Sequence, residues 1–268
     1  MLYHTLTGPA DAPVVLLLHG LGSSADDWAQ QTPALVARYR VLAVDLPAHH
    51  RSPRPRGACS VERMAAIVDA LLETLGIMRA HVVGLSLGGC VALALALGAP
   101  TRVRSLVVVN GFARLRPAGL REAVRGAGRV ALAVAAPMSV VAAYVAREMF
   151  PRPEHAALRR AAVERLAANP RRHYLASLAA ILRFDVRHRL GEIRCPTLIV
   201  AGDHDRTVPF AAKELLAESI PGAHLRVMAD SGHVSPLDQA TAFNRLLAEH
   251  LDRVEALGED STVIPKRK

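Results

Sequence analysis

Short apolar runs alternate along the chain with longer stretches in which hydrophobic positions recur every three or four residues. Four runs come first: 14–18 (VVLLL), 41–45 (VLAVD), 81–85 (HVVGL) and 105–110 (SLVVVN). Each is bounded by Gly, Pro or Asp and is too short for a helix, so each is predicted as a buried strand. The clearest helical pattern between them places Val61, Met64, Ala65, Val68, Leu71, Leu72 and Leu75 on one face, with Ser60 as N-cap and Gly76 just past the end. Strand followed by helix, repeated, predicts a mostly parallel twisted sheet joined by right-handed crossovers, with helices covering both faces.

Residues from 113 to about 190 interrupt this rhythm. They contain VALAVAAPMSVVAAYVAREMF, then PRP at 151–153, then an arginine-rich helical stretch broken at Asn169-Pro170, and no convincing strand. A helical insertion is expected there. The rhythm resumes with 196–202 (PTLIVAG), a helix over 209–219, 224–230 (HLRVMAD) and a final amphipathic helix over 235–256. The expected organisation is one α/β domain over 1–258, interrupted by the insertion, with 259–268 as a flexible tail.

Composition narrows the class. At 268 residues, 51% hydrophobic and 21% charged, the chain can bury a sizeable core, and it lacks a run of about 18 apolar residues that would span a membrane. The net charge of +9 raises the question of nucleic acid, but 30 of the 33 basic residues are arginines scattered along the chain without a recognised reading motif. Neither a nucleic-acid nor a membrane partner is expected. Cys59, Cys90 and Cys195 are odd in number, far apart and outside any CxxC, which fits a reducing compartment and argues against a disulfide framework or a zinc site. The N-terminus MLYHTLTGPADAP has no basic segment followed by an apolar one, so a cytoplasmic location is expected.

The candidate chemistry begins at 81–94, HVVGLSLGGCVALA, where Gly84-Leu85-Ser86-Leu87-Gly88 follows an apolar strand and opens a helical segment. G-x-S-x-G alone is a modest signal, but strand, sharp turn and helix form the setting that an exposed nucleophilic serine requires. Glycines at 84 and 88 let backbone approach closely, and a serine at the start of a helix sits where free N–H groups favour an anionic intermediate. A serine hydroxyl needs a base, usually a histidine held by a carboxylate. Among twelve histidines, His233 in DSGHVSP falls on the loop between the last strand and the last helix, at the same sheet edge. The carboxylate comes from GDHDRTVP, where Asp203 and Asp205 leave the same strand end, and geometry does not choose between them.

HGLGSSADDW after the first core strand, GLSLGG, GDHDRTVP and SGH occur in an order that resembles the α/β-hydrolase superfamily over nearly the whole chain. The resemblance implies Ser86 as nucleophile, His233 as base and Asp205 as acid, since the family's G-x-x-D-x-x-x-P falls on Gly202 to Pro209. It also implies an oxyanion hole from the N–H groups of Leu21 and Leu87, a loop shaped by His19 and Gly20, and Trp28 packed beneath it. It places the family's helical cap at the insertion. The sequence departs from the family at DLPAHHRS, where Ala48 and His50 stand in place of glycines. If the backbone kept φ > 0 there, each residue would cost roughly 1 kcal/mol, so a different loop path is expected, with His49 and His50 facing solvent.

The implied activity is acyl transfer through an acyl-enzyme, without metal or organic cofactor, on a small-molecule ester or lactone. Serine at 86 argues against the haloalkane dehalogenase and epoxide hydrolase relatives, which need aspartate there. A carbon–carbon bond hydrolase or lyase using the same three residues, as in succinyl-cyclohexadiene-carboxylate synthase, is the alternative, and a non-catalytic ligand receptor a distant one. An insertion rich in Ala, Val and Leu suggests an apolar acyl group, and Arg147 or Arg183 are candidates for binding a substrate carboxylate, as in the enol-lactonase relatives.

Overall fold

The six apolar runs form six parallel strands in a computed structural model, which describes residues 1–116 and 119–260. They are β2 (Val14–Leu18), β3 (Arg40–Val44), β4 (Ala80–Leu85), β5 (Val103–Val109), β6 (Thr197–Gly202) and β7 (His224–Met228). A further strand, β1 (His4–Thr7), lies outside those runs and pairs antiparallel with β3, from His4 opposite Val44 to Thr7 opposite Val41. The sheet order is β1-β3-β2-β4-β5-β6-β7. Strand order therefore reverses beside β2 and β4, the place where open α/β sheets leave a crevice at the strand C-terminal ends.

Helix α1 (Thr32–Leu35) precedes β3, α2 (Val61–Thr74) precedes β4, and α3 (Leu87–Gly98) joins β4 to β5. Ser60 caps α2 as expected, accepting a hydrogen bond from the Arg63 N–H. Between β5 and β6 lie α4 (Leu120–Ala135), α5 (Met138–Met149), α6 (Ala156–Ala167) and α7 (Arg171–Arg183). Then follow α8 (Phe210–Ser219), α9 (Ser235–Asp238) and α10 (Ala240–Asp260). The last helix thus runs past the expected boundary at 258, and residues 261–268 of the expected tail lie outside the described residues. No helix among the described residues is long and apolar enough to cross a membrane.

The period-two alternation of the strands divides the core. Leu16, Leu18, Leu42, Val44, Val82, Leu106, Val108 and Ile199 face one side, packed with residues of α2, α3 and α8. Val15, Leu17, Val41, Ala43, Val83, Leu85, Val107 and Val109 face the other, with Trp28, Phe243, Leu247 and Leu251. Each such side chain taken from water contributes about 1.5–3 kcal/mol. The helices between β5 and β6 hold a smaller cluster of their own, built on Val141, Val145, Leu166, Tyr174 and Leu178.

The loop after β3 departs from expectation. Ala48 and His50 keep positive φ, 65° and 42°, although neither is glycine. The loop is pinned at both ends: the buried Asp45 carboxylate accepts from the N–H of Ala25 (2.7 Å), Nε of Arg51 (2.7 Å) and the Arg51 N–H (3.1 Å). Ser52 donates to the Asp45 carbonyl at 2.6 Å and accepts from the Tyr3 N–H. Several charge-assisted bonds outweigh about 1 kcal/mol of strain at each of two residues. His50 is exposed, as expected, whereas His49 is buried against the His19 ring, with centroids 5.2 Å apart.

Candidate active site

Ser86, Asp205 and His233 leave the C-terminal ends of β4, β6 and β7, three strands that share one sheet edge. Ser86 takes φ 54° and ψ −113°, a region that costs a non-glycine residue about 1–3 kcal/mol. The turn is enforced by its surroundings. The Ser86 N–H donates to the Val109 carbonyl at 2.9 Å, and the Cys90 N–H donates to the Ser86 carbonyl at 3.0 Å. A Cβ on Gly84 would fall on the carbonyl of Gly88, and one on Gly88 on the carbonyl of Leu18, so both glycines are required by close backbone packing.

His233 is buried, and its Nδ1 lies 3.0 Å from Oδ1 of Asp205. That oxygen also accepts from the N–H groups of Thr207 (2.8 Å) and Val208 (3.2 Å), and Oδ2 accepts from Nζ of Lys213 at 2.7 Å. Burial works against an ionised Asp205, but the facing His233 and then Lys213 outweigh it and hold the carboxyl well below the usual carboxylate range. Asp203 turns elsewhere. Its carboxylate accepts from the N–H groups of Asp230 and Ser231, at 3.1 and 3.0 Å, and so shapes the turn that leads into His233. The choice left open by geometry in the sequence is resolved by these contacts, and it is Asp205 that meets His233.

Two backbone contacts hold the histidine from behind. The His233 N–H donates to the carbonyl of Met149, at the end of α5, at 3.3 Å. Asn110, buried at the end of β5 with φ 46°, donates from Nδ2 to the carbonyl of His233 (2.9 Å) and that of Gly232 (3.3 Å). Its Oδ1 accepts from the Gly202 N–H at 2.9 Å. Asn110 thereby ties three strand ends together. The sequence carries it as the polar last residue of SLVVVN, a signal that period and propensity alone do not interpret.

Ser86 lines a cavity of about 480 Å³ together with Leu21, Phe112, Leu178, Asp205 and Val208. Among the described residues its hydroxyl makes no hydrogen bond to His233; such contacts are commonly long in unliganded sites. Leu87 is the first residue of α3, where an N–H has no acceptor within the helix. Leu21 follows Gly20, whose Cβ position lies 3.7 Å from the Cβ of Ser86, so the β2 loop runs directly beside the serine. That loop is fixed by His19, which accepts from the Leu46 N–H at Nε2 (2.9 Å) and therefore donates from Nδ1 to the Gly20 carbonyl (2.7 Å). Trp28 is fully buried and packs toward Phe243, not on the cavity.

The cavity lining mixes apolar and charged side chains. Arg116, Arg125, Arg129 and Arg206 also line it, against Glu148, which lies 3.7 Å from Arg125. Nε of Arg129 is buried and unpartnered among the described residues. The arginines singled out in the sequence are placed otherwise: Arg147 lies on a separate surface groove and Arg183 is exposed.

The sequence profile of the family described as "alpha/beta hydrolase fold" matches residues 13–240. The "Putative carbamate hydrolase RutD" of Stutzerimonas stutzeri (strain A1501) is 36% identical over 256 residues, covering 90% of this chain and 92% of that protein. A hydrolase from Pseudomonas aeruginosa PA01 superimposes with a TM-score of 0.85 at 34% identity, over 93% of this chain and 94% of that one. The enol-lactonase from Burkholderia xenovorans LB400 does so with a TM-score of 0.86 at 28% identity, over 94% and 96%. With its parallel sheet, its glycine-walled serine turn and these likenesses, the chain belongs to the alpha/beta hydrolase family.

Proposed function

We propose that this protein is a serine hydrolase that cleaves a small carboxylic ester or lactone through an acyl-enzyme. The observation that carries the reading is the 3.0 Å contact between His233 and the ionised Asp205, at the same sheet edge as the strained Ser86. In this reading His233 takes the Ser86 proton, Asp205 holds the ring and stabilises the imidazolium, and the Leu21 and Leu87 N–H groups receive the oxyanion. Water activated by His233 then releases the acid. A carbamate, the substrate class in the relatives' printed name, offers the same carbonyl with a heteroatom leaving group.

The helices α4–α7 act as a cap over the cavity, and their arginines favour an acyl group that carries an anion beyond an apolar segment. The test is a time course with p-nitrophenyl esters from acetyl to octanoyl, and with esters of matched length ending in a carboxylate, for the wild type and Ser86→Ala. A burst, an acyl adduct in the intact mass, loss of both in Ser86→Ala and faster turnover of the carboxylate esters are expected. No turnover and no adduct with any ester would overturn the reading.

A further inference from the structure

The pair formed by Asp205 and His233 has a third member that the scheme above does not use. Lys213 lies on α8 three and seven residues before Leu216 and Ile220, both buried in the core, so it occupies the inward stripe of the helix. Its side chain is 1% exposed. Nζ donates to Oδ2 of Asp205 at 2.7 Å and to the carbonyl of Val208 at 2.6 Å. The two carboxylate oxygens are thus divided: Oδ1 serves His233 and the loop N–H groups, and Oδ2 serves the lysine.

Such a group is costly to keep. Burial pulls Lys213 below its ordinary basicity, a loss that Asp205 offsets only in part, and removing an ammonium from water costs several kcal/mol unless it is paired. The composition makes the choice more specific. Lys266 and Lys268, among the last three residues, are the other two lysines in a chain that otherwise uses arginine. The position that faces Asp205 from the core keeps a compact point charge, which contacts one carboxylate oxygen and one carbonyl without the room that a planar guanidinium fork needs.

We infer that Lys213 is a positioning residue, whose ammonium locks the Asp205 carboxylate in the orientation that keeps Oδ1 on Nδ1 of His233. The inference rests on the reading of these two residues as acid and base. Without the ammonium, Oδ2 is a buried carboxylate oxygen with no cation, and the carboxylate gains a second orientation that carries the imidazole with it.

The experiment compares the wild type with Lys213→Met, Lys213→Gln and Lys213→Arg. The His233 Nδ1 proton is followed by NMR, assigned by its absence from His233→Gln, alongside kcat, KM and melting temperature. In the Met and Gln variants we expect the resonance to broaden or disappear and kcat to fall on the order of tenfold at unchanged KM. A folded Lys213→Arg recovers the resonance in part. In the wild type itself the Lys213 ammonium gives a slowly exchanging proton–nitrogen signal.

A purely structural lysine would lower the melting temperature of the Met and Gln variants while leaving kcat and the resonance as in the wild type, and that result overturns the inference. A wild type without the slow ammonium signal overturns it even if no variant folds. Should Ser86→Ala retain wild-type turnover, the serine-hydrolase reading fails, while the His233 resonance still decides the role of Lys213.

Discussion

Replacing Asn110 with alanine tests how the three strand ends are held together. The side chain is buried and makes four contacts: Nδ2 to the carbonyls of His233 and Gly232 and to Oγ of Ser235, and Oδ1 from the Gly202 N–H. Ser235 keeps another partner in Ser231, and the Gly232 contact is long at 3.3 Å. Two buried backbone groups at 2.9 Å, the Gly202 N–H and the His233 carbonyl, are left without that partner. Each such loss costs about 1–3 kcal/mol. Alanine is also disfavoured at φ 46°, where asparagine is tolerated, by about another 1 kcal/mol. The expected loss is about 4–5 kcal/mol, a fall in melting temperature on the order of 10–15 °C for a chain of this size. Urea denaturation gives the first quantity and scanning calorimetry the second. Asn110→Gly separates the terms, since it relieves φ without restoring any hydrogen bond, and it should recover only about 1 kcal/mol. An Asn110→Ala variant within about 1 kcal/mol of the wild type, or a fully stable Asn110→Gly, would refute this account of the strand ends.

Two further outcomes follow from the same geometry. Gly88→Ala puts a Cβ onto the carbonyl of Leu18 and forces α3 away from β2, so we expect about 3 kcal/mol or more of lost stability and loss of ester turnover; an active, equally stable variant would contradict the backbone packing described at the elbow. Burial holds His19 and His81 down to about 3 and His49 and His250 to about 4. These values lie below the unfolded value of about 6.5. The unfolded chain therefore binds more protons between them, and stability is complete above about pH 6.5 and falls as the pH drops toward 4. The urea midpoint should decline from pH 7 to 5; a constant midpoint would contradict burial of neutral imidazoles.

The sheet was legible because its central strands are buried on both faces and therefore appear as unbroken aliphatic runs. β1 was not, since HTLT alternates between half-buried and exposed positions and shows no apolar run. The helical character of the insertion was legible from its periodicity. Its arrangement was not, and neither was the set of arginines that line the cavity, because which of them reach it depends on how α4 and the neighbouring loops pack against it. His49 escaped for a related reason: its burial comes from a contact with His19, thirty residues earlier, which no local pattern records. The positive φ at Ala48 and His50 depends on the anchoring of Asp45 by Arg51 and Ala25, a tertiary effect that overrides local preference. Ser86, His233 and the Asp203-Asp205 loop were legible because each occupies a strand-to-helix turn whose place the alternation fixes. Lys213 did leave a trace, a lysine on the apolar stripe shared with Leu216 and Ile220, but its partner Asp205 lies across the site loop, where helical periodicity says nothing.

The outward order β4-β5-β6-β7 has a consequence for the growing chain. Each strand of this half is laid against the one made just before it, so the sheet can be extended as the polypeptide emerges, without rearranging earlier pairings. A nascent chain that ends before residue 196 already contains Ser86, with β4 and β5 able to pair around it, but neither Asp205 nor His233 has yet been made. Ser86 is thus in place before either member of the Asp205–His233 pair exists. Asp205 and His233 meet only once β7 has paired with β6 and the turn after it has brought the imidazole to the carboxylate.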